Sequence, residues 1–423
     1  MRQPDTDALV IGAGPAGASV AIRLAQSGRR VTLIEQAHYP RQKVCGECLN
    51  PASLQLLAEL GLGQQIANRA GPEIRQVAWM TRRGTVTATM PACESGDFRY
   101  GRAIGRDSLD TLLVEEARAL GVRIIQPAHV RRVSGEPGDF RCIYHWRSDR
   151  GAASRSTDHH ERTVTASIVI DAHGSWERAP YVETSGQCHA RRSSPRSSDL
   201  LAFKVTFEGT SLSPGVLPVL SLPGGYGGVV VADRGRTTLA CCIRRDVLRQ
   251  WRARAPGKSA AAVVEAYLRD SCPDLAAALQ NARRDGPWQS AGPLRPGFHD
   301  ATSNPGLRIG NASVEAHPLI GEGICMALQS AAALARLIVK QPSNIDPARV
   351  QALQRAHART CRAAFRGRVR LAHLYAQVAM RPWLTTPSAA LMRAWPRILT
   401  FTALLAGKAR GIAARAGDQY GHP

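Results

Sequence analysis

Residues 8–35 read ALVIGAGPAGASVAIRLAQSGRRVTLIE. An apolar segment comes first, and the glycine turn Gly12-x-Gly14-x-x-Gly17 follows it. An alanine-rich segment with helical spacing, a second apolar segment and the acid Glu35 complete the stretch. Spacing, flanking strands and terminal acid together predict a complete β-α-β dinucleotide-binding unit.

Each glycine of this turn has a separate physical role. Gly12 permits the tight turn, Gly14 lets the backbone approach a pyrophosphate, and Gly17 lets the helix pack closely on the sheet. The phosphates then lie at the positive N-terminus of the helix. Glu35 stands where an acid binds the adenosine ribose hydroxyls, and its charge repels a 2′-phosphate. The unit therefore favours FAD or NAD over NADP.

Length and composition are typical of a folded protein with a large core. The chain has 423 residues, of which 44% are hydrophobic, enough for two or three domains. The first strand begins within a few residues of Met1 without a signal-peptide pattern, and no apolar run has transmembrane length. These observations predict a cytoplasmic protein.

The charge is strongly basic and is concentrated near the C-terminus. The formal net charge is +22, and residues 341–423 hold 13 Arg and Lys against two Asp. Several basic residues recur there at helical spacing: Arg362, Arg366, Arg368, Arg370, Arg381, Arg393, Arg397, Lys408, Arg410 and Arg415. A solvated helical face is the favoured interpretation; the alternative is an amphipathic surface that contacts anionic lipid, an acidic carrier protein or an acidic substrate. Because no nucleic-acid-binding module is recognisable, we expect no nucleic-acid partner.

The ten cysteines are expected to be reduced thiols. Cys45 and Cys48 form the only C-x-x-C motif, and no second pair stands at zinc-ligand spacing, so no metal site is predicted. Cys241 and Cys242 lie on a predicted strand and should point to opposite faces.

Hydrophobic periodicity divides the rest of the chain into α/β units and a sheet-rich insertion. It predicts one helix over 53–66, a helix and strand over 104–125, and a long helix over 321–340. Strands are predicted near 200–209, 227–233 and 237–243, within a stretch rich in Gly, Pro, Ser and β-branched residues.

Four further motifs follow the opening unit in a fixed order. They are Arg41-x-Lys43-Val44-Cys45-Gly46-Glu47, Arg106-x-x-Leu109-Asp110-x-x-Leu113, Asp171-Ala172-His173-Gly174-Ser175 with Arg178, and Gly310-Asn311-Ala312 running to Pro318-x-x-Gly321-x-Gly323. With this order the chain resembles the FAD-dependent oxidoreductases of the aromatic hydroxylase superfamily, the group A flavin monooxygenases. The resemblance is to the branch of geranylgeranyl reductases and halogenases.

The resemblance implies an α/β fold in which a Rossmann-like, GR2-type FAD-binding domain carries an inserted substrate domain. We expect the discontinuous FAD-binding domain to comprise residues 1–75, 99–178 and 289–340. The sheet-rich substrate domain would comprise 76–98 and 179–288, and a helical C-terminal region would comprise 341–423.

The resemblance also assigns residues to FAD binding. They are Gly12, Ala13, Gly14, Pro15, Ala16, Gly17, Glu35, Gln36, Lys43, Cys45, Arg106, Val130, Asp171, Gly174, Asn311, Pro318, Gly321, Gly323 and Ile324. His317 is a candidate catalytic group near the reactive edge of the flavin, although a loop histidine that only packs is favoured. Tyr226 borders the substrate pocket or is a structural turn residue.

Two positions depart from the family pattern. Ala172 replaces a common glycine, and Asn311 replaces the aspartate that accepts a ribityl hydrogen bond. An asparagine oxygen still accepts such a bond, without charge assistance. We expect weaker FAD binding from this change and not its loss.

The flavin end of the site is predicted at Gly321-Glu322-Gly323-Ile324, which opens the long helix. Free backbone N–H groups and the positive end of the helix dipole would face the flavin pyrimidine and favour the anionic reduced flavin.

Several activities share this scaffold. A monooxygenase is the first choice: NAD(P)H reduces FAD, O2 adds to give a flavin hydroperoxide, and oxygen passes to an electron-rich aromatic, polyketide or other secondary metabolite. An FAD-dependent prenyl or alkene reductase of geranylgeranyl reductase type is the alternative. A disulfide reductase needs C-x4-C and a second glycine motif, and a halogenase needs W-x-W-x-I-P; the chain has none of these. An inactive flavin-binding module is the non-enzymatic alternative.

Overall fold

The computed structural model describes residues 4–146, 161–175, 194–299, 305–342 and 345–408. Arg178, Arg410 and Arg415 lie outside these ranges. Within them the strands, numbered in chain order, are β1 (Thr6–Ile11), β2 (Val31–Ile34), β3 (Cys48–Leu49), β4 (Gln76–Thr81), β5 (Gly84–Thr89), β6 (Arg102–Ala103), β7 (Arg123–Ile125), β8 (Ala128–Glu136), β9 (Asp139–Trp146), β10 (Arg162–Asp171), β11 (Leu200–Glu208), β12 (Val216–Leu222), β13 (Gly225–Val231), β14 (Thr237–Arg244), β15 (Arg283–Ala291), β16 (Gly297–Phe298), β17 (Leu307–Arg308) and β18 (Val314–Glu315).

The helices of the same ranges are numbered in the same way. They are α1 (Pro15–Gln26), α2 (Pro51–Ala58), α3 (Gly63–Arg69), α4 (Arg106–Ala119), α5 (Arg245–Arg254), α6 (Ala260–Ser271), α7 (Pro273–Ala278), α8 (Gly323–Val339), α9 (Pro347–Ala379), α10 (Pro382–Ala394) and α11 (Arg397–Leu405).

The first sheet carries the opening β-α-β unit. Its strand order is β7-β2-β1-β10-β9-β8, and β17 pairs with β10. The strands β7, β2, β1, β10 and β17 run parallel, whereas β9 and β8 form an antiparallel extension. The parallel strands β1 and β2 are almost wholly buried, because helices cover the face on which the sheet would otherwise meet solvent. The predicted strand–helix–strand unit is confirmed.

The main core lies between this sheet and the helices α1, α4 and α8. Ile22 and Leu24 of α1 are fully buried with Leu113 of α4 and Leu328 of α8. The helices α1 and α8 also pack against each other.

The second sheet has the order β15-β11-β14-β13-β12-β4-β5. The pair β12 and β4 is parallel and the other pairs are antiparallel. The predicted strands near 200–209, 227–233 and 237–243 are confirmed as β11, β13 and β14. Cys241 packs in the cluster under α6, whereas Cys242 packs against Tyr226, so the two side chains lie on opposite faces as expected.

The predicted helix over 53–66 is two helices in the structure. The backbone at Gly61 has φ of +87°, which is left-handed and ends α2 before α3 begins at Gly63. Leu57, Leu60 and Leu62 are buried on both sides of this turn, so the apolar periodicity continues although the helix does not. The predicted helices over 104–125 and 321–340 are confirmed as α4 and α8.

The C-terminal helices pack on both sheets. The helix α9, of 33 residues, lies against α8, the end of β12 and the start of β13. The helices α10 and α11 cover β4 and β5, where Leu399 and Ala403 pack with Trp79. Of the helices in the described ranges, none combines the length and the apolar character needed to cross a bilayer.

Candidate functional site

A cavity of about 630 Å³ lies between the two sheets. One part of its wall comes from the first sheet and its helices, through Gly12, Gly14 and Glu35. Another part is apolar and comes from the second sheet, through Phe203, Leu217, Val219 and Val229. The two parts are continuous, so a group bound at the glycine turn and a molecule on the second sheet would share one space.

The glycine turn forms a cradle without side chains. Gly12 has φ of +98°, and a Cβ atom on it would lie 2.6 Å from the carbonyl oxygen of Ala172. A Cβ atom on Gly17 would lie 1.8 Å from the carbonyl oxygen of Gly12. Gly14 caps α1 without a side-chain hydrogen bond, so the first amides of the helix remain open toward the cavity. This cradle fits a pyrophosphate.

Glu35 is held in place at the end of β2. Its Oε2 accepts a hydrogen bond from the backbone N–H of Ala13 at 2.8 Å, and its Oε1 accepts one from the N–H of Ala37 at 2.9 Å. The side chain is buried and borders the cavity. These bonds fix the carboxylate beside the glycine turn, where the ribose of an adenine nucleotide is expected.

Two arginines stand over the glycine turn in a network of charges. Arg41 contacts Glu35 at 2.9 Å and Asp110 at 3.2 Å, and Arg106 forms two hydrogen bonds to Asp110 at 2.7 and 2.8 Å. Both guanidinium groups lie within 4 Å of the position that a Cβ atom on Gly14 would take. Arg106 was expected near the cofactor; Arg41 is a second cation at the phosphate position that the sequence alone did not assign.

The start of α8 forms the opposite part of the polar wall. Gly321 has φ of +61°, and the helix begins at Gly323 without a side-chain cap. Glu322 is buried and faces away from this opening, because its Oε1 accepts a hydrogen bond from Asn50 Nδ2 at 2.7 Å. The open amides of the first turn fit the anionic edge of a flavin, as the sequence predicts.

Asn311 connects the cofactor wall with a buried acid. Its Nδ2 donates a hydrogen bond to Ser175 Oγ at 2.8 Å. The Ser175 hydroxyl in turn contacts the Glu315 carboxyl group, and all three residues border the cavity. Burial raises the pKa of Glu315 to about 7. Sequence reasoning missed Glu315, because no motif separates it from the apolar residues around it.

Asp171 lies behind the wall, whereas it was expected to contact the cofactor. Its carboxylate is fully buried at the end of β10, and its Oδ1 contacts the ring of His173 and the His173 N–H. It therefore shapes the loop that carries Gly174 and Ser175. Those two residues border the cavity and Asp171 does not.

Tyr226 and His317 form a buried pair. Tyr226 borders the cavity from β13, and its hydroxyl lies 3.0 Å from His317 Nδ1. The His317 ring lies behind Tyr226 and 5.4 Å from the ring of His373. Burial and, to a lesser extent, the nearby His373 lower the pKa of His317 to about 4. At neutral pH His317 is therefore an uncharged ring in contact with the Tyr226 hydroxyl.

Most of the residues assigned from the sequence meet at this cavity. Those on its wall are Gly12, Gly14, Pro15, Ala16, Glu35, Gln36, Lys43, Cys45, Arg106, Val130, Gly174, Tyr226, Asn311, Pro318, Gly321, Gly323 and Ile324. Ala13, Gly17, Asp171 and His317 stand directly behind it and hold wall residues in place.

A buried ion pair joins the loop after β2 to the second sheet. Lys204 of β11 contacts Glu47, and both side chains are 2% exposed. Glu47 also accepts hydrogen bonds from Thr238 Oγ1 at 2.5 Å and from the backbone N–H of Arg106 at 2.9 Å. Its φ of +59° is left-handed. Glu47 is the last residue of the motif over 41–47, and the sequence alone assigned it no role. In the structure it connects the loop after β2 with the second sheet.

The two cysteines of the C-x-x-C motif border the cavity as free thiols. Burial raises the pKa of Cys48 to about 11. A thiol with such a pKa is protonated at neutral pH and is a weak nucleophile. Cys48 therefore lacks the lowered pKa of a reactive redox thiol.

His317 and Glu315 predict opposite pH effects on stability. The folded pKa of His317 is below its ordinary value of 6.5, so its contribution is present above pH 6.5 and is lost as the pH falls toward 4. The folded pKa of Glu315 is above its ordinary value of 4.5, so its contribution is present below pH 4.5 and is lost as the pH rises toward 7.

Between pH 4.5 and 6.5 the two effects therefore oppose each other. In Glu315→Gln only the effect of His317 remains, so the free energy of unfolding should rise with pH relative to the natural chain. In His317→Asn only the effect of Glu315 remains, so the free energy of unfolding should fall with pH. In each variant the slope of the free energy of unfolding against pH is expected to change by up to about 1.4 kcal/mol per pH unit. Urea unfolding at several pH values measures both; parallel curves for the variants and the natural chain would contradict the assignment.

The fold and the site define a class of protein: an FAD-dependent oxidoreductase in which an α/β nucleotide-binding sheet and a second sheet enclose one cavity. Residues 5–343 match the family described as FAD binding domain. The chain belongs to this family.

Individual relatives cover shorter stretches. Menaquinone reductase of Mycobacterium tuberculosis is 34% identical over 119 residues, 28% of this chain and 28% of that protein. Squalene epoxidase 4 of Arabidopsis thaliana is 30% identical over 145 residues, 34% of this chain and 28% of that protein. The alignments thus span less than a third of either relative. The solved structure of the myxobacterial chondrochloren halogenase shares the fold, with a TM-score of 0.69, 21% identity, and coverage of 96% of this chain and 90% of the other.

Proposed function

We propose that this chain is an FAD-dependent monooxygenase that oxidises an electron-rich, largely apolar small molecule, such as an aromatic, polyketide or other secondary metabolite. NAD(P)H would be the reductant and O2 the co-substrate. The observation that carries the proposal is the single cavity, in which a phosphate cradle and an uncapped helix start face the apolar wall of a second sheet. The nine described cysteines are free thiols, which supports a cytosolic reaction.

The residues of the wall fit FAD and divide its binding among them. The turn at Gly12 and Gly14, with Arg41 and Arg106 above it, would hold the pyrophosphate, and Glu35 would hold the ribose. The start of α8 would hold the flavin ring. When bound, FAD supplies the redox and oxygen chemistry, so this chain needs no nucleophile of its own.

The other side chains of the cavity position the substrate and exclude water. Phe203, Leu217 and Val229 offer apolar contact to a ring or a hydrocarbon chain. Tyr226 borders the cavity with its ring, and neutral His317 behind it holds its hydroxyl. Glu315, with a pKa of about 7, can hold or release a proton at its carboxyl group near neutral pH.

A prenyl or alkene reductase is the second candidate, and the relatives favour it to the same degree as an oxygenase. The matched proteins are named for action on menaquinone and squalene, two molecules with isoprenoid chains. The apolar part of the cavity wall would accept such a chain. Both candidates share the cofactor and differ in whether oxygen enters the product.

Product analysis with the reconstituted holoprotein tests the proposal. NADH or NADPH oxidation and O2 uptake are followed with phenolic and prenylated substrates. Substrate-stimulated O2 uptake with an oxygenated product supports the monooxygenase; anaerobic saturation of an alkene establishes the reductase instead. A colourless protein that cannot be reconstituted with FAD would contradict both and leave a protein without flavin chemistry.

Asn311→Asp is expected to tighten FAD binding by about fivefold at pH 6, because a carboxylate makes a stronger hydrogen bond to a ribityl hydroxyl than an amide does. Ser175 connects this position to Glu315, so the gain should shrink at pH 8, where Glu315 is ionised and repels the new charge. Fluorescence titration of the apoprotein with FAD at both pH values measures the effect. Unchanged or weaker binding at pH 6 would refute this role of position 311.

A further inference from the structure

The outward face of α10 is apolar. Its exposed residues Trp383, Pro387, Ala390, Leu391 and Ala394 follow the spacing of one helix face. Trp383 is 70% exposed, far more than an indole ring in a protein core. A solvated helix carries polar side chains on such a face, so this face has the character of a contact surface.

The turn after α10 and the helix α11 continue this surface. Trp395, in the turn, is 61% exposed. Phe401, Leu404 and Leu405 are exposed on one face of α11. We refer to the exposed residues Trp383, Leu391, Trp395, Phe401, Leu404 and Leu405 as the α10–α11 surface.

The two helices present these residues in the same direction. Ala389 of α10 and Leu399 and Ala403 of α11 pack inward on one cluster with Trp79 of β4. Because both inner faces cover the same part of the second sheet, both outer faces point away from it. The apolar side chains therefore form one surface and not two separate patches.

The charge of this region has one sign. Residues 347–408 contain eleven Arg and Lys and no Asp or Glu. Arg381, Arg393 and Arg397 are exposed at the ends of α10 and at the start of α11, next to the apolar residues. An apolar face with tryptophan and phenylalanine, bordered by arginine, is complementary to the headgroup region of an anionic lipid layer.

We propose that the α10–α11 surface binds the face of an anionic lipid bilayer, with its aromatic side chains at headgroup depth and the bordering Arg381, Arg393 and Arg397 on lipid phosphates. The sequence favoured a solvated face here, but it could not show that the apolar residues between the arginines are exposed. The segment after α11 leads directly to Lys408, which borders the cavity. The surface therefore brings the cavity close to the layer in which lipophilic molecules dissolve.

Co-sedimentation of the full-length holoprotein with vesicles tests the proposal. We expect binding to vesicles of phosphatidylglycerol and phosphatidylcholine, and weaker binding to phosphatidylcholine alone. Trp383→Ser/Phe401→Ser should weaken binding to the anionic vesicles at least about tenfold, because it removes two exposed anchors. Arg381→Gln/Arg397→Gln should weaken it at low salt and have less effect at high salt.

Trp146→Ser is the matched control, since Trp146 is 41% exposed on β9, outside the α10–α11 surface. It should bind as the natural chain does. Circular dichroism and FAD retention verify that each variant is folded. Because the readout is binding and not turnover, the result is independent of the proposed reaction.

Three results would overturn the proposal. The first is absence of binding to the anionic vesicles, and the second is an equal loss in Trp146→Ser and in Trp383→Ser/Phe401→Ser. The third is a dimer in sedimentation velocity that Trp383→Ser/Phe401→Ser dissociates while vesicle binding is absent, which would identify a second copy as the occupant of this surface.

Discussion

Gly17→Ala is expected to produce an unstable chain that does not retain FAD. The added Cβ atom would lie 1.8 Å from the carbonyl oxygen of Gly12 and 3.1 Å from the Cβ of Ala172. Neither neighbour can yield, because one is the backbone of the turn and the other follows the buried strand β10. The helix α1 must therefore move away from the sheet. We expect a loss of about 3 kcal/mol in the free energy of unfolding of the apoprotein.

Gly14→Ala is the matched comparison for this prediction. Gly14 has φ of −71°, and a Cβ atom on it would make only ordinary contacts with the guanidinium groups of Arg41 and Arg106. The apoprotein should remain as stable as the natural chain. The methyl group would, however, occupy the cradle and weaken FAD binding. Urea unfolding and FAD titration separate the two variants; a Gly17→Ala apoprotein of natural stability would refute the close packing of the turn.

Lys204→Met is expected to destabilise the chain by about 3–5 kcal/mol, because it leaves the Glu47 carboxylate buried without its cation. The remaining partners of this carboxylate are the Thr238 hydroxyl and the Arg106 N–H, which do not neutralise its charge. The contact joins the loop after β2 to the second sheet, so we expect FAD retention to fall with stability. Urea unfolding of the holoprotein and the apoprotein measures both effects.

A second variant shows whether charge is the cause. Glu47→Gln/Lys204→Met removes both charges and should recover more than half of the loss. Arg283→Met is the control, since it breaks an ion pair with Glu208 in which the two side chains are 78% and 45% exposed. Arg283→Met should change the free energy of unfolding by less than about 1 kcal/mol. Strictly additive effects of the Glu47 and Lys204 changes would contradict a coupled pair.

Local patterns in the sequence were sufficient for the nucleotide-binding part of the fold. The unit over 8–35 contains its strand, turn, helix and acid within one continuous stretch, so its structure depends on neighbours along the chain. The turn at Gly61 shows the limit of such patterns. The apolar spacing passes through it unchanged, and only the left-handed backbone separates α2 from α3.

The contacts that complete the site join distant parts of the chain. Glu47 and Lys204 are 157 residues apart, and neither position shows its partner in the sequence. Glu315 acquires its raised pKa from burial, which is a property of the folded chain. Asp171 illustrates the reverse case: its motif was recognised, but Gly174 and Ser175 border the cavity, whereas the Asp171 carboxylate is buried behind them against His173.

The side chain of Asn50 connects three parts of the chain that are synthesised at different times. It caps α2 through the Ser53 N–H at 2.9 Å, donates to Glu322 at the start of α8, and donates to the Gly407 carbonyl oxygen at 3.3 Å. These partners leave the ribosome in chain order, with Ser53 first, Glu322 next and Gly407 last. The cavity wall, which runs from Ile11 to Lys408, is therefore completed only when nearly all described residues have left the ribosome. A chain that stops before Gly407 therefore lacks both this last contact of Asn50 and the part of the cavity wall at Lys408.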